Sequence, residues 1–425
     1  MGRVLIVHFR VGRTDGVSLE IANWKAILES EGWEVAVCSG PESEGADYVI
    51  EDLEPQLNKK IFELDEAAFG ESDSEDEDSF ARRFGQIQSS LRAEFEKVVN
   101  KVKPVRVIAA NVFSVGVNVA AAGALAEVLK TKGVLTVGVY HDFWWEDVRY
   151  RRPAKKLVEE QLEKYFPPVG EWMKHACINS IARVELARRK GVEAEILYDC
   201  LDFGKLNHDR DGKCGRVLAE AGVGLGDLVI LQGTRIVRRK NIELAMDVVA
   251  RLQKRVEEMG RKRAVLVMAG YAEKRDEVYQ EQLRGYAGSL GIKVVELNGR
   301  TGDLLCLYPY ADIVTYPSGY EGFGNQFLEA VYAKKPIIVY EYPVFKTDIK
   351  PLGFEVISLG DNLGFDLETG LAKVPSGVLD RVTDEVIEIL RDEKKRKEVT
   401  EKNFAIGAAN FSFERAGEVW RKLLI

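Results

Sequence analysis

Runs of apolar, β-branched residues recur along the chain with few polar interruptions: "RVLIVHF" from Arg3, "WEVAVCS" from Trp33, "RVIAANV" from Arg106, "VLTVGVY" from Val134 and "HACINS" from His175. Between them lie longer segments such as "GVSLEIANWKAILESEG", in which apolar positions return every three or four residues. After Leu201 the rhythm restarts with "LVILQGT", "RAVLVMAG", "KVVELNG", "ADIVTYPS" and "KPIIVYE". Short continuous apolar runs predict strands buried on both faces, and their alternation with helical periodicity predicts β-α-β units with parallel sheets. Ligands are then expected outside the carboxyl ends of the strands.

The repetition predicts an α/β chain of two Rossmann-like domains with mainly parallel sheets facing a central cleft. Residues 1–199 form the first, which would hold an acceptor, and 200–405 the second, which would hold a donor. The joint falls in "LYDCLDFGKLN", Leu197–Asn207. Residues 406–425 include "FSFERAGEVWRKLLI", an amphipathic last helix expected to return to the first domain.

Length agrees, since 425 residues exceed what one core supports. A net charge of −8 disfavours a nucleic-acid binder built on phosphate contacts. Five cysteines without a C-x-x-C pair argue against a disulfide framework and a zinc site, and fit a reducing cytoplasm. The apolar start "MGRVLIVHFR" is too short for a signal sequence. The stretch from Val107 to Leu129 is membrane-like in composition, but Asn111, Ser114, Gly116 and Asn118 divide it into a strand, a loop and a buried helix, so no membrane insertion is expected. The acidic run Glu71–Asp78 reads as a solvated loop.

Three strand-following loops carry candidate chemistry. "VGRTDGVSLE" sets Gly12 and Gly16 at a helix start, where backbone amides can approach a phosphate, although it is no G-x-G-x-x-G fingerprint. "QGTRIVRRKNIELAMDVV" places Arg235 and Lys240 ahead of a helix, where cations are unfavourable unless an anion joins them. "YEGFGNQFLEA" places Glu321 in a loop at the sheet edge and Glu329 one turn into a helix, and carboxylates in such places hold vicinal hydroxyls.

Taken together, these segments resemble the retaining nucleotide-sugar glycosyltransferases of family 4, which have the GT-B fold. The likeness rests on the Arg235–Lys240 spacing, "LNGRTGDLLCLYPYADIVTYPS", the E-GFGNQFL-E block and "AKKPIIVYE". It implies a retaining hexosyltransferase whose donor is a nucleotide-diphosphate sugar of the UDP-glucose or GDP-mannose type, a co-substrate rather than a resident cofactor; and since no Asp-x-Asp stands at a strand end and Arg235, Lys240 and helix amides already supply positive charge, the enzyme is expected to be metal-independent. Arg235 and Lys240 match the pair that neutralises the diphosphate, Glu329 the ribose-binding glutamate, and Glu321 the one on the sugar hydroxyls. Gly322, Phe323, Gly324 and Asn325 match the segment against sugar and phosphate, Gly299 and Arg300 the base pocket, Gly16 the glycine loop, and His141 the histidine at the donor sugar. His141, Glu321, Arg235 and Lys240 form the implied catalytic group.

Asn241 stands where the family has glycine after the lysine, the first loop lacks a Gly-Gly pair, and "YDCLD" replaces "PNGVD". Arg235 and Lys240 are expected to be replaceable without cost to the fold. Asn111, Trp144, Arg149 and Arg152 are the candidate acceptor residues; if the arginines face the cleft, the small polar acceptor is anionic, of sugar-phosphate or glycerate type. Two rival readings share these features, a nucleotide-sugar 2-epimerase and a non-catalytic nucleotide-sugar sensor.

Overall fold

The computed structural model describes residues 2–13, 15–70, 75–205, 212–302 and 304–425. The chain divides into two compact units, one formed by Met1–Cys200 with Phe413–Ile425, the other by Leu201–Ser412.

In the first unit the strands are β1 (Arg3–Val7), β2 (Glu34–Ser39), β3 (Tyr48–Val49), β4 (Arg106–Ala110), β5 (Leu135–Tyr140), β6 (Met173–Cys177) and β7 (Glu195–Ile196). They form one sheet ordered β3-β2-β1-β4-β5-β6-β7, every pair parallel. Alternate residues of β1 serve opposite faces, Leu5 and Val7 joining one apolar cluster and Val4 and Ile6 the other. Burial on both faces is why the strand reads as an unbroken apolar run. The helix Phe413–Leu424 covers the second face beside the helix Gly16–Ser30, with Trp420 edge-on to Trp24 at 5.5 Å.

The Leu201–Ser412 unit repeats the plan with β8 (Leu228–Gln232), β9 (Ala264–Met268), β10 (Lys293–Glu296), β11 (Ile313–Tyr316), β12 (Ile337–Val339) and β13 (Ile357–Ser358), followed by a hairpin of β14 (Gly364–Phe365) and β15 (Ala372–Lys373). The sheet order is β10-β9-β8-β11-β12-β13, all parallel. In each unit the first strand has later strands on both sides, so the strand order reverses at β1/β4 and at β8/β11. Such switch points open a crevice at the carboxyl ends of the two strands.

Two sequence expectations need correction. Within the acidic run, residues 71–74 lie outside the described part, but Asp76 caps the helix Glu77–Val102 by accepting from Ser79 N at 3.0 Å, and Glu77 and Asp78 form its first turn. Carboxylates suit a helix N-terminus, so this part of the run starts a helix rather than a loop. The cysteines also depart from the fully reduced reading. Cys214, on the helix Gly212–Glu220, is disulfide-bonded to Cys306 on the 3₁₀ turn Leu305–Tyr310, while Cys38, Cys177 and Cys200 are free and buried. The Cα atoms of Cys214 and Cys306 stand 6.1 Å apart across 92 residues, a pairing that sequence spacing gives no means to foresee. No helix among the described residues is long and apolar enough to cross a membrane.

Candidate active site

The β8/β11 switch point gathers the charged residues of the second unit. The loop after β8 ends in the 3₁₀ turn Arg238–Lys240, and the loop after β11 carries Glu321 before the helix Asn325–Tyr332. Lys240 and Glu321 are each only 7% exposed. The Lys240 ammonium donates to Glu321 Oε1, and Arg239 Nη1 donates to Glu321 Oε2 at 2.8 Å and to the Tyr320 carbonyl at 2.6 Å. Burial alone would raise the Glu321 carboxyl, but Lys240 and Arg239 outweigh it and hold the group down at about 2. Glu321 is therefore ionised at every physiological pH.

That pairing argues against the expectation that Lys240 can be replaced without cost to the fold. Removing the ammonium leaves a buried carboxylate with the Tyr316 hydroxyl and one cation, Arg239, whose side chain is 43% exposed. Arg235 lies nearer the surface, its Nη1 donating to Glu273 Oε1 at 2.7 Å. Arg239 was missed at the sequence level; its only signal was its place in "RRK".

Asn241 accounts for its own departure from the family pattern. Its backbone is left-handed (φ 47°, ψ 46°), a conformation asparagine tolerates better than other residues with a side chain. Its Nδ2 donates to the Pro317 carbonyl at 3.1 Å, fastening the two loops together. Gly324 has no such substitute: with φ 135°, a Cβ there would stand 2.4 Å from Tyr342 Oη, which itself donates to the Phe323 carbonyl at 2.5 Å. Phe323 packs on Phe411 at 5.0 Å and belongs to the core, leaving only its backbone for a ligand. In the loop after β11 and at the start of the helix that follows, Ser318 Oγ and Asn325 Oδ1 are buried without a hydrogen-bond partner among the described residues.

Glu329 lies half-buried on the same helix and accepts from Tyr308 Oη at 2.6 Å. Tyr308 is fully buried, and burial first, then the carboxylate, keep its hydroxyl protonated. Beyond β10, Gly299 N donates to the Ala269 carbonyl at 3.1 Å, and Gly299 has positive φ, while Arg300 is exposed.

In the first unit, His141 follows β5. It is buried, stacks on Trp24 at 5.7 Å, and neither ring nitrogen has a hydrogen-bond partner among the described residues. Its Nε2 stands 3.9 Å from Asp199 Oδ1, too far for a hydrogen bond. Burial pushes the imidazole down to about 3, so it is neutral at physiological pH. Asn111, left-handed at φ 56°, positions it by accepting from His141 N at 2.8 Å through Oδ1.

Other first-unit candidates fare differently. The helix beginning at Gly16 is capped by Asp15, whose two carboxylate oxygens accept from Ser18 N at 3.1 Å and Ser18 Oγ at 2.8 Å. A carboxylate in that place satisfies the amide that a phosphate would need and repels the phosphate itself. Arg149 is committed to Asp65 at 2.5 Å and Glu66 at 2.6 Å. Arg152 is exposed and makes no hydrogen bond or ion pair among the described residues. Trp145 is core, stacked on Phe143 at 4.2 Å, whereas Trp144 is half-buried with its Nε1 unpartnered.

The sequence pattern of the family described as glycosyl transferases group 1 matches residues 219–405, which include the whole Lys240–Glu321–Glu329 cluster. The chain is 32% identical to a mannosylglucosylglycerate synthase of Petrotoga mobilis, covering 98% of this chain and 99% of that protein. It is 34% identical to the enzyme of the same name from Thermotoga maritima, with 98% of each covered. This chain belongs to the group 1 glycosyltransferases. Solved structures show the GT-B fold at lower identity: sucrose-phosphate synthase of Thermosynechococcus elongatus has a TM-score of 0.64 at 14% identity, covering 100% of this chain and 99% of that one. HepE of Anabaena in complex with UDP-glucose has a TM-score of 0.63 at 12% identity, with 99% of each chain covered.

Proposed function

We propose that this glycosyltransferase moves a hexose, with retention, from a nucleotide-diphosphate sugar to a hydroxyl of a small glycerate-bearing acceptor. The observation that carries the reading is the β8/β11 cluster, in which Lys240 and Arg239 pair with the buried, ionised Glu321 and Tyr308 holds Glu329, in a chain matched over nearly its whole length by two mannosylglucosylglycerate synthases. Those relatives point to a mannosyl donor and a glucosylglycerate acceptor. The UDP-glucose complex of HepE keeps a uridine donor in consideration.

In this reading Arg235 and Lys240 supply positive charge to the diphosphate, and Lys240 does so while still neutralising Glu321. Glu329, oriented by Tyr308, takes the ribose hydroxyls, Gly299 and Arg300 border the base, and the 322–325 backbone lies against sugar and phosphate. Glu321 accepts from the donor sugar hydroxyls. Held near 2, it is too weak a base to take the acceptor proton, and with both oxygens engaged it is a poor nucleophile. His141, neutral down to about pH 3, is likewise a weak base but a competent hydrogen-bond partner for the sugar. Front-face attack, with the leaving diphosphate oxygen taking the acceptor proton, asks for neither base nor nucleophile. The cations already on hand support turnover without added Mg²⁺ or Mn²⁺, which dialysis against a chelator tests.

The decisive experiment incubates the full chain with GDP-mannose or UDP-glucose, alone and with glucosylglycerate, and follows products by magnetic resonance. A new α-glycoside made from an α-linked donor supports the proposal. A β-glycoside overturns retention, an epimerised free donor points to the epimerase, and binding without turnover points to the sensor.

A further inference from the structure

The carboxyl edge of the first sheet holds a charge cluster that the donor chemistry leaves unused. At the β1/β4 switch point His8 Nδ1 lies 2.8 Å from the Ala110 carbonyl, tying the ends of the two strands together. The loop that follows is pressed onto the segment after β2. Val11 N donates to Ser43 Oγ at 3.2 Å, and a Cβ on Gly12 would stand 2.2 Å from the Glu44 carbonyl oxygen. This braced loop presents Arg10 and Arg13.

Neither guanidinium is well matched by the protein. Arg10 makes a 3.3 Å hydrogen bond to Gln56 Oε1 and a distant 3.9 Å ion pair with Asp15, whose oxygens already serve Ser18. Arg13 is half-buried and makes no hydrogen bond or ion pair among the described residues. Glu54 is buried near enough to feel both guanidiniums, but forms an ion pair with neither; it accepts from Gln56 N at 3.3 Å, and burial raises its carboxyl. His8 and His141 are held neutral by burial. Partly desolvated arginine forks beside a switch point suit a planar carboxylate, which each can bind through two parallel N–H donors.

We propose that Arg10 and Arg13 form the subsite that binds the carboxylate of the acceptor and so select an acidic acceptor over its neutral analogue. This rests on the transfer reading above. It moves acceptor recognition away from Arg149, whose guanidinium is spent on Asp65 and Glu66.

The test compares kcat/KM for glucosylglycerate with that for glucosylglycerol, which carries a hydroxymethyl group where the acid has its carboxylate. The wild type is expected to prefer the acid by about tenfold or more, the scale of a charge-assisted hydrogen bond. Arg10→Gln and Arg13→Gln should each erase most of that preference, chiefly through the acceptor KM, while Arg13→Lys keeps an intermediate preference because it retains charge without the fork. Wild-type melting of each variant shows that the fold is kept. An unchanged ratio, or equal losses on both acceptors, overturns the assignment while the transfer reading stands. Failure of the wild type to use either acceptor overturns both.

Discussion

Replacing Lys240 with alanine tests whether the buried pair under the proposed donor site also holds the fold together. Its partner Glu321 has a carboxyl held at about 2, against an ordinary 4.5, in a largely buried place. That gap corresponds to about 3 kcal/mol in favour of the ionised form. Breaking a buried pair by removing one partner costs about 3–5 kcal/mol, and Arg239 recovers only a little because its half-exposed guanidinium is screened by solvent. Lys240→Ala should therefore destabilise the Leu201–Ser412 unit by about 2–4 kcal/mol, lowering its Tm by about 6–12 °C.

The pH dependence gives the refuting result its sharpness. A carboxylate with a depressed pKa contributes stability above its unfolded pKa and loses it as pH falls, here from 4.5 toward 2. The variant lacks that contribution and can instead protonate Glu321, so its deficit should be full at pH 7 and shrink by pH 3. Lys240→Ala combined with Glu321→Gln should recover most of the loss at pH 7. Calorimetry or far-ultraviolet dichroism is the assay, because all six tryptophans (Trp24, Trp33, Trp144, Trp145, Trp172 and Trp420) lie in the other unit. A Tm within about 2 °C of wild type at pH 7, or a deficit equal at both pH values, refutes the reasoning.

Tryptophan emission suits a prediction on the first unit. Burial raises Asp199 to about 7, and burial together with Asp199 pushes the neighbouring Glu20 carboxyl up as well, so the pair's contribution is full below about pH 4 and is lost as pH rises through neutrality; Asp199→Asn should weaken that alkaline decline, leaving the part that belongs to Glu20, and raise stability at pH 8, and an unchanged decline would refute it. His141→Ala should lower turnover sharply, yet the pH profile of kcat between 5 and 8 should keep its shape, since the imidazole titrates near 3; loss of an acidic limb in that range would make His141 a base after all. Gly324→Ala should cost the second unit about 2–4 kcal/mol through backbone strain and the clash with Tyr342, and adding Tyr342→Phe should relieve only the clash; calorimetric melting of the two variants decides it. Tyr308→Phe should raise the donor KM about tenfold with a smaller effect on kcat if Glu329 holds the ribose as proposed, because the carboxylate then loses an orienting hydrogen bond.

Strands buried on both faces announce themselves as apolar runs, which is why β1, β2, β4, β5 and β6 and then β8 to β12 were legible. The two-residue strands β3, β7, β13, β14 and β15 lack any run long enough to read. At the site, residue types and spacing marked Lys240, Glu321 and Glu329, because charged groups at strand ends have no packing use. Pairing was not legible. Nothing in "RRK" says that its second residue shares Glu321 with its third, and nothing in the spacing of Arg149 says that Asp65 and Glu66 will claim it. Asp15 was a different kind of oversight, for "DGVS" carries an aspartate three residues before the serine whose amide it caps, a local signal that the search for a phosphate loop passed over.

The two switch points differ in a way that follows from these pairings. At β8/β11 the cations come with their anion: Lys240 and Arg239 are preorganised on Glu321, so a diphosphate arriving there adds to an existing network and the buried charges need no rearrangement. At β1/β4 the helix end is already satisfied by Asp15, and it is arginine side chains, not backbone amides, that remain available. A phosphate gains most from amides and a helix dipole, a carboxylate from a planar fork. On the proposed reading, the same supersecondary plan, built twice, is tuned by a few side chains toward a diphosphate in one unit and a carboxylate in the other.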